Sequence, residues 1–384
     1  MSTTGTSRSV FSRLYTGEGG VDFIERSRLW YWITVVLLGL SIGGIALRGF
    51  DLSIDFEGGT KMNMPAGELV AEQVEETFTE ATGVAPELTQ IVGAGDARTL
   101  EINSERLTQA QIDSARLTIY EQYQPLDAQG IPSPDAIGDS TVSESWGETI
   151  TQRMIIAMVV FLVLAFAYIA FRLEREMAVA AMAALAVDGV IIAGIYALIG
   201  LEVSPATVIG LLTVLAFSIY DTVIVFDKVR ENTAGVLDSR RRTYAEEANL
   251  AVNQTIMRSI ATSVISALPI IALMVVAVWM MGVGTLRDLA LIQFIGVVVG
   301  VFSSIFLATP ILVTLMNRRK DVIAHNRAVA AYRTGEDPEA EGADAEPKRT
   351  VVTPRSGRLS DIAPHPTGGE DTPGVGASWR PDRR

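Results

Sequence analysis

The chain has 384 residues, 49% hydrophobic, 20% charged and 7% aromatic, with a net charge of −13 and a mean hydropathy of +0.31. That is too apolar for an ordinary soluble protein of this length and marks a membrane protein. Cysteine is absent, which excludes disulfides, thiolate metal sites and cysteine nucleophiles. The two histidines, His325 and His365, lie in the polar C-terminal stretch, so the apolar part has no imidazole for zinc, haem or a serine triad. No G-x-x-x-x-G-K-[ST] phosphate cradle occurs. Neither enzyme chemistry nor a cofactor is expected.

A membrane-spanning helix needs roughly 20 mostly apolar residues, and six runs qualify. After an N-terminal segment, 1–28, comes span one at 29–47. Its 28-residue flank suits an uncleaved anchor better than a signal peptide. A polar stretch of about a hundred residues, 48–153, precedes five closely spaced spans within 154–316: Met154–Phe171, Met177–Gly200, Pro205–Phe226, Ser259–Met281 and Leu289–Met316. Pro310 should kink the last. Asp238–Asn253 reads as an interfacial helix between spans four and five. The tail, 317–384, holds 7 of the 15 prolines and few large apolar residues, so it is expected to be disordered.

Arg8, Arg13, Arg26 and Arg28 precede span one. Arg172 and Arg175 separate spans two and three, and Lys228, Arg230, Arg240, Arg241, Arg242 and Arg258 lie between spans four and five. The opposite short loops are nearly bare. The positive-inside rule then puts both termini in the cytoplasm and 48–153 outside.

Residues 48–153 carry 19 Asp/Glu against 6 Lys/Arg, a net of −13 that equals the charge of the whole chain. Such acidity disfavours nucleic acid as a ligand. Extended stretches at Asp51–Phe56, Lys61–Met64, Thr89–Val92, Thr99–Ile102 and Ser140–Ser143 alternate with helical spacing at Glu68–Thr82 and Thr108–Tyr123. A β-α-β-β-α-β order predicts an α+β ferredoxin-like sandwich. The fold class is therefore membrane α-helical, one span plus five, with this extracytoplasmic domain inserted after the first.

Two carboxylates fall inside the spans. Asp188 lies eleven residues into span three, roughly 16 Å down the helix, and Asp221 lies seven residues before Lys228. An Asp near a helix centre costs about 2.5–3.5 kcal/mol on insertion scales, and such residues face a water path or a partner charge. Arg258 is the expected partner of Asp221. It opens a polar stripe, Arg258, Thr262 and Ser266, with Ser259 and Ser263 beside it. Gly39 and Gly43, and Gly296, Gly300 and Ser304, have the four-residue spacing of close helix packing.

Two strings carry a family resemblance. Asp55, Phe56, Glu57, Gly58, Gly59 and Thr60 read DFEGGT after span one, and residues 216–232 read AFSIYDTVIVFDKVREN at the end of span four. With the topology, they resemble SecF, the smaller subunit of the bacterial SecD/SecF protein-export complex, itself similar to resistance-nodulation-division transporters. The resemblance covers about 29–320. It implies an accessory role in Sec protein export powered by proton movement, with Asp221, Arg258 and Asp188 as the relay. It places Thr222, Phe226, Asp227, Arg230, Glu231 and Asn232 in the family motif. Tyr220 and Val187 depart from the family pattern, which favours Asn and His there. The implied partners are a SecD-like subunit, the Sec translocon channel, an exported unfolded polypeptide and the lipid bilayer of the bacterial plasma (inner) membrane. A proton-coupled small-molecule or lipid exporter is the alternative, and a non-transporting scaffold the third reading.

Overall fold

The computed structural model describes residues 22–127, 129–276 and 284–334. The start of the N-terminal segment, the last turns of predicted span five at 277–281 and the tail beyond 334 lie outside the described residues.

Helix α1 (Ser27–Arg48) leads into a short strand β1 (Asp51–Leu52) and a single-turn helix α2 (Ile54–Glu57). The inserted domain follows as β2 (Gly59–Pro65), α3 (Ala71–Thr82), β3 (Leu88–Val92), β4 (Thr99–Ser104), α4 (Gln109–Tyr123) and β5 (Gly138–Val142). The sheet order is β3-β4-β2-β5, antiparallel throughout, which is the predicted ferredoxin-like arrangement. Period-two alternation sends Met62, Met64, Leu100 and Ile102 to one face, where they meet Val74 and Phe78 of α3 and Ile112 and Ile119 of α4. Thr108 caps α4 through a reciprocal box with Gln111. The other sheet face carries Lys61, Gln90, Glu101 and Asn103, and it turns toward the helical bundle.

The bundle comprises α5 (Glu144–Arg172), α6 (Arg175–Ile199), α7 (Pro205–Thr233), α8 (Tyr244–Leu273) and α9 (Gly284–Ser303). A wide i→i+5 turn, Ser304–Ala308, joins α9 to α10 (Thr309–Met316). Strand β6 (Glu202–Val203) lies between α6 and α7. Among the described residues, six helices are long and apolar enough to cross a membrane. Pro310 lacks an N–H and its ring crowds the carbonyl four residues back, which accounts for the widened turn just before it.

Several boundaries differ from the sequence expectation. Helix α5 starts at Glu144, ten residues before the apolar run, because the Ser143 hydroxyl caps it by accepting from Trp146 N–H. The separate interfacial helix is absent: a Thr243–Glu246 capping box starts α8 at Tyr244 and no break follows before Pro269. The tail is helical at first, since α11 (Lys320–Thr334) buries Val322, His325 and Val329. It docks through His325 Nε2 to the Arg242 carbonyl at 3.0 Å and through Arg333 to Glu246 at 2.8 Å. Helix α1 meets α6 not through Gly39 and Gly43, where an added Cβ would meet nothing within 4 Å among the described residues, but through Gly44 against Leu198 and Ser41 against Gly194. Gly210, Gly296 and Gly300 do bring α7 and α9 together, where a Cβ would meet Ile292, Val214 and Ser218 respectively.

Candidate functional site

Both acids predicted inside the spans lie where α6, α7, α8 and α9 converge. Asp188 is 1% exposed, and the Ser218 hydroxyl donates to its Oδ2 at 2.5 Å. Its Oδ1 is buried without a completed hydrogen bond, and so is the Ser303 hydroxyl, which lies close enough to act on the same carboxyl. Asp221 receives the Ser259 hydroxyl on Oδ1 at 2.8 Å and the Ser304 hydroxyl on Oδ2. A cavity of about 30 Å³ opens beside Asp221, lined by Ser218, Thr262, Ser263, Ser266 and Gly300 among others; it has room for a water molecule. The polar stripe of α8 therefore faces the acid, as its spacing suggested.

Arg258 does not. It is exposed and makes no ion pair or hydrogen bond among the described residues, so the expected Arg258–Asp221 pair is absent from this conformer. In this conformer Ser259, the next residue along α8, meets Asp221 instead. Among the described residues, every donor to either acid is an uncharged hydroxyl. Serine geometry of this kind has a weak sequence signal, because single hydroxyls inside apolar runs read first as packing residues.

The rest of the span-four motif is split by role. Thr222 and Phe226 are buried. Asp227 joins Arg172 at 2.6 Å and Arg230 at 3.0 Å, Lys228 pairs with Glu231 at 2.9 Å, and Asn232 donates to Gln254 at 3.0 Å. These residues tie α5, α7 and α8 at the end of the bundle away from the inserted domain.

The DFEGGT string forms the seat of that domain. Asp55, at the edge of α2, accepts from the Ser53 hydroxyl at 3.4 Å, and Phe56 is buried. Gly58 has φ +81°, and a Cβ there would lie 2.9 Å from the Glu144 nitrogen at the start of α5. At Gly59, with φ +140°, a Cβ would come closer still to the Ser104 carbonyl, at 2.5 Å. The Thr60 hydroxyl accepts from Leu107 N–H at 3.0 Å.

A second buried polar cluster joins domain to bundle. Strand β1 pairs in parallel with β6, Asp51 opposite Glu202, and Ser53 N–H donates to the Val203 carbonyl at 2.9 Å. Glu202, 5% exposed, points at the sheet. Lys61 Nζ stands 3.8 Å from it, Asn103 donates to it at 3.3 Å and Gln90 at 3.4 Å. Arg287 of α9 donates to Gln90 Oε1 at 3.2 Å. Burial pushes the Glu202 carboxyl above the usual carboxylate range, and the Lys61 ammonium opposes that shift. None of this was expected from sequence, where Glu202 is one acid in a four-residue loop.

Fold and site together define a polytopic membrane protein of one-plus-five helices, with a ferredoxin-like domain after the first and acids held in the bundle. The family described as Protein export membrane protein SecD/SecF, C-terminal, matches residues 126–318. Protein translocase subunit SecF of Mycobacterium tuberculosis is 52% identical over 330 residues, covering 86% of this chain and 75% of the relative. Its namesake in Streptomyces coelicolor is 35% identical over 345 residues, covering 90% and 89%. The crystal structure of SecDF, a translocon-associated membrane protein from Thermus thermophilus, superimposes with TM-score 0.67 at 30% identity, over 79% of this chain and 39% of that one. The chain belongs to the SecD/SecF family of protein-export membrane proteins, with SecF subunits among its relatives.

Proposed function

We propose that this chain is an accessory subunit of the Sec protein translocase that uses the proton motive force to assist late steps of polypeptide export. The observation that carries the reading is the pair of acids inside the bundle, met among the described residues only by hydroxyls and, at Asp221, a water-sized cavity. A proton arriving on Asp221 removes the charge that Ser259 and Ser304 solvate, which weakens the tie of α7 to α8 and α9. Helix α7 starts just after Glu202 of β6 and α9 carries Arg287 in its first turn, so their displacement reaches the sheet face directly. Moving a two-state equilibrium from 1:99 to 99:1 takes about 5.5 kcal/mol of differential affinity, equivalent to about four pKa units between states. We assign the Arg258–Asp221 ion pair to the second conformer, reached when α8 moves.

The Lys/Arg distribution supports a plasma-membrane orientation with both termini cytoplasmic and the acidic domain outside. The partners are then a SecD-like subunit, the translocon channel and the unfolded polypeptide being exported. Similarity to SecF subunits over most of their length favours this reading over a small-molecule or lipid exporter. Export by membrane vesicles, with and without a proton gradient, tests it. Asp221→Asn should abolish the gradient-dependent part, a loss of about tenfold or more for each 1.4 kcal/mol of coupling removed. Wild-type rates in that variant would overturn the mechanism.

A further inference from the structure

At the end of β2 away from the DFEGGT seat, the inserted domain carries an open cleft of about 1180 Å³. Its walls come from the β2–α3 loop at 65–69, from Gly95 between β3 and β4, and from the segment that follows α4, at 123–132. That last wall is a preformed lip. Just past α4, Gln124 takes φ +46°, and no other residue apart from glycine has a positive φ among the described residues. Left-handed side-chain-bearing residues of this kind gather at ligand clamps. Asp127 then accepts the Gln129 and Ile131 N–H groups on one carboxylate oxygen, both at 2.9 Å, and Leu126 bridges Pro132 across the lip. The lip leaves two large apolar side chains to solvent, Leu126 at 49% and Ile131 at 59% exposure.

The chemistry of the cleft is one-sided. Glu68 and Asp127 line it, and among the described residues no lysine, arginine or histidine does. Pro65, Pro125 and Pro132, also in its walls, have no N–H to offer. Acceptors and negative charge therefore prevail beside an apolar patch of Leu69 and Leu126, in a domain that already carries a net of −13. Lysine and arginine complement both features at once, because their heads only donate and their methylene stems pack on apolar surface. The cleft also exceeds the roughly 300–1,000 Å³ of a small-molecule pocket. Its size and openness suit a length of chain laid across it. Resting on the translocase reading above, we propose that this cleft holds a passing stretch of the exported polypeptide in extended form, one that carries lysine or arginine next to an aliphatic side chain. The aliphatic group covers Leu69 and Leu126, and the cation meets Glu68 or Asp127. Charge of one sign in a cleft draws the segment in. Exposed ion pairs are individually weak, so the segment leaves as readily as it arrives.

The test titrates the full chain in nonionic detergent with short fluorescent peptides on an unstructured Gly/Ser background, carrying Leu with Lys, Leu with Glu, or Lys without Leu. The Leu–Lys peptide should bind in a salt-sensitive way, and the other two about tenfold more weakly. Glu68→Lys should weaken the Leu–Lys peptide about tenfold and Leu126→Ser about threefold. Both residues are exposed, so neither change disturbs the core. Glu105→Lys makes the same change of charge at an exposed position beside the seat end of the sheet, and should leave binding unaltered. Equal losses in Glu68→Lys and Glu105→Lys would assign binding to the charge of the whole domain and overturn the cleft. Equal binding of the peptide without Leu would make the site a simple cation trap and overturn the polypeptide. No binding of any peptide, with gradient-dependent export by membrane vesicles intact, overturns the cleft and leaves the translocase reading standing. Wild-type vesicles without gradient-dependent export overturn that reading, and with it the identity of the occupant.

Discussion

The molecule buries acids in two places and treats them differently. Asp188 and Asp221, in the bundle, meet only serine hydroxyls among the described residues. Glu202, at the joint, meets two side-chain amides and the Lys61 ammonium. Neutral donors stabilise a carboxylate without balancing its charge, whereas a nearby cation offsets part of the rise that burial causes. The first arrangement suits a group that must change state, and the second suits a fastening.

The most forceful way to break that contrast is to give the bundle acid a cation of its own. Ser259→Lys should clamp Asp221 as a carboxylate and reduce gradient-driven export about as far as Asp221→Asn does, with the chain still inserted and folded; vesicle export measures it. A smaller effect comes from the reverse change at the joint. Lys61→Met removes the opposing charge, so the Glu202 carboxyl should titrate still higher. At neutral pH, hydrogen exchange at the Ser53 amide should then quicken by about one to three kcal/mol of lost protection.

The smallest effect is in the wild-type pH profile. Because the folded Glu202 carboxyl lies above its ordinary value, its contribution to stability is fully present below that ordinary value. It is lost as pH rises through the raised one. Protection at Ser53 should therefore decline over that interval, and Glu202→Gln should flatten the curve.

Much of the fold is written in local pattern. Period-two alternation and the Gly58–Gly59 pair gave the ferredoxin-like order, since each strand has one face on α3 and α4 and its residues declare it. The six spans follow from length and hydropathy. Helix α8 was harder to read: Arg240, Arg241 and Arg242 suggest a boundary, but the decisive signal is the Thr243–Glu246 box, after which polar and apolar turns run on as one helix. Helix α11 was hidden by its composition, because its few apolar residues bury themselves against another segment rather than one another.

The acids were visible because charge in an apolar run is costly. Their partners in this conformer were less so. The arginine at the start of span five drew the pairing to Arg258, whereas in this structure the next residue, Ser259, bonds Asp221. The joint escaped notice because Glu202, Lys61, Gln90 and Arg287 are far apart in the chain and meet only once the domain is seated.

The parallel ladder between β1 and β6 also constrains biosynthesis. Its first strand emerges before the whole ferredoxin-like unit and two further membrane helices, and its second only after them. The α/β unit can collapse on its own core early, but it acquires its berth on the bundle only when the loop ahead of α7 arrives. Nascent chains stopped short of Glu202 should therefore display a folded but undocked head, and protease sensitivity at the Gly49–Ser53 neck would time the moment of seating during synthesis.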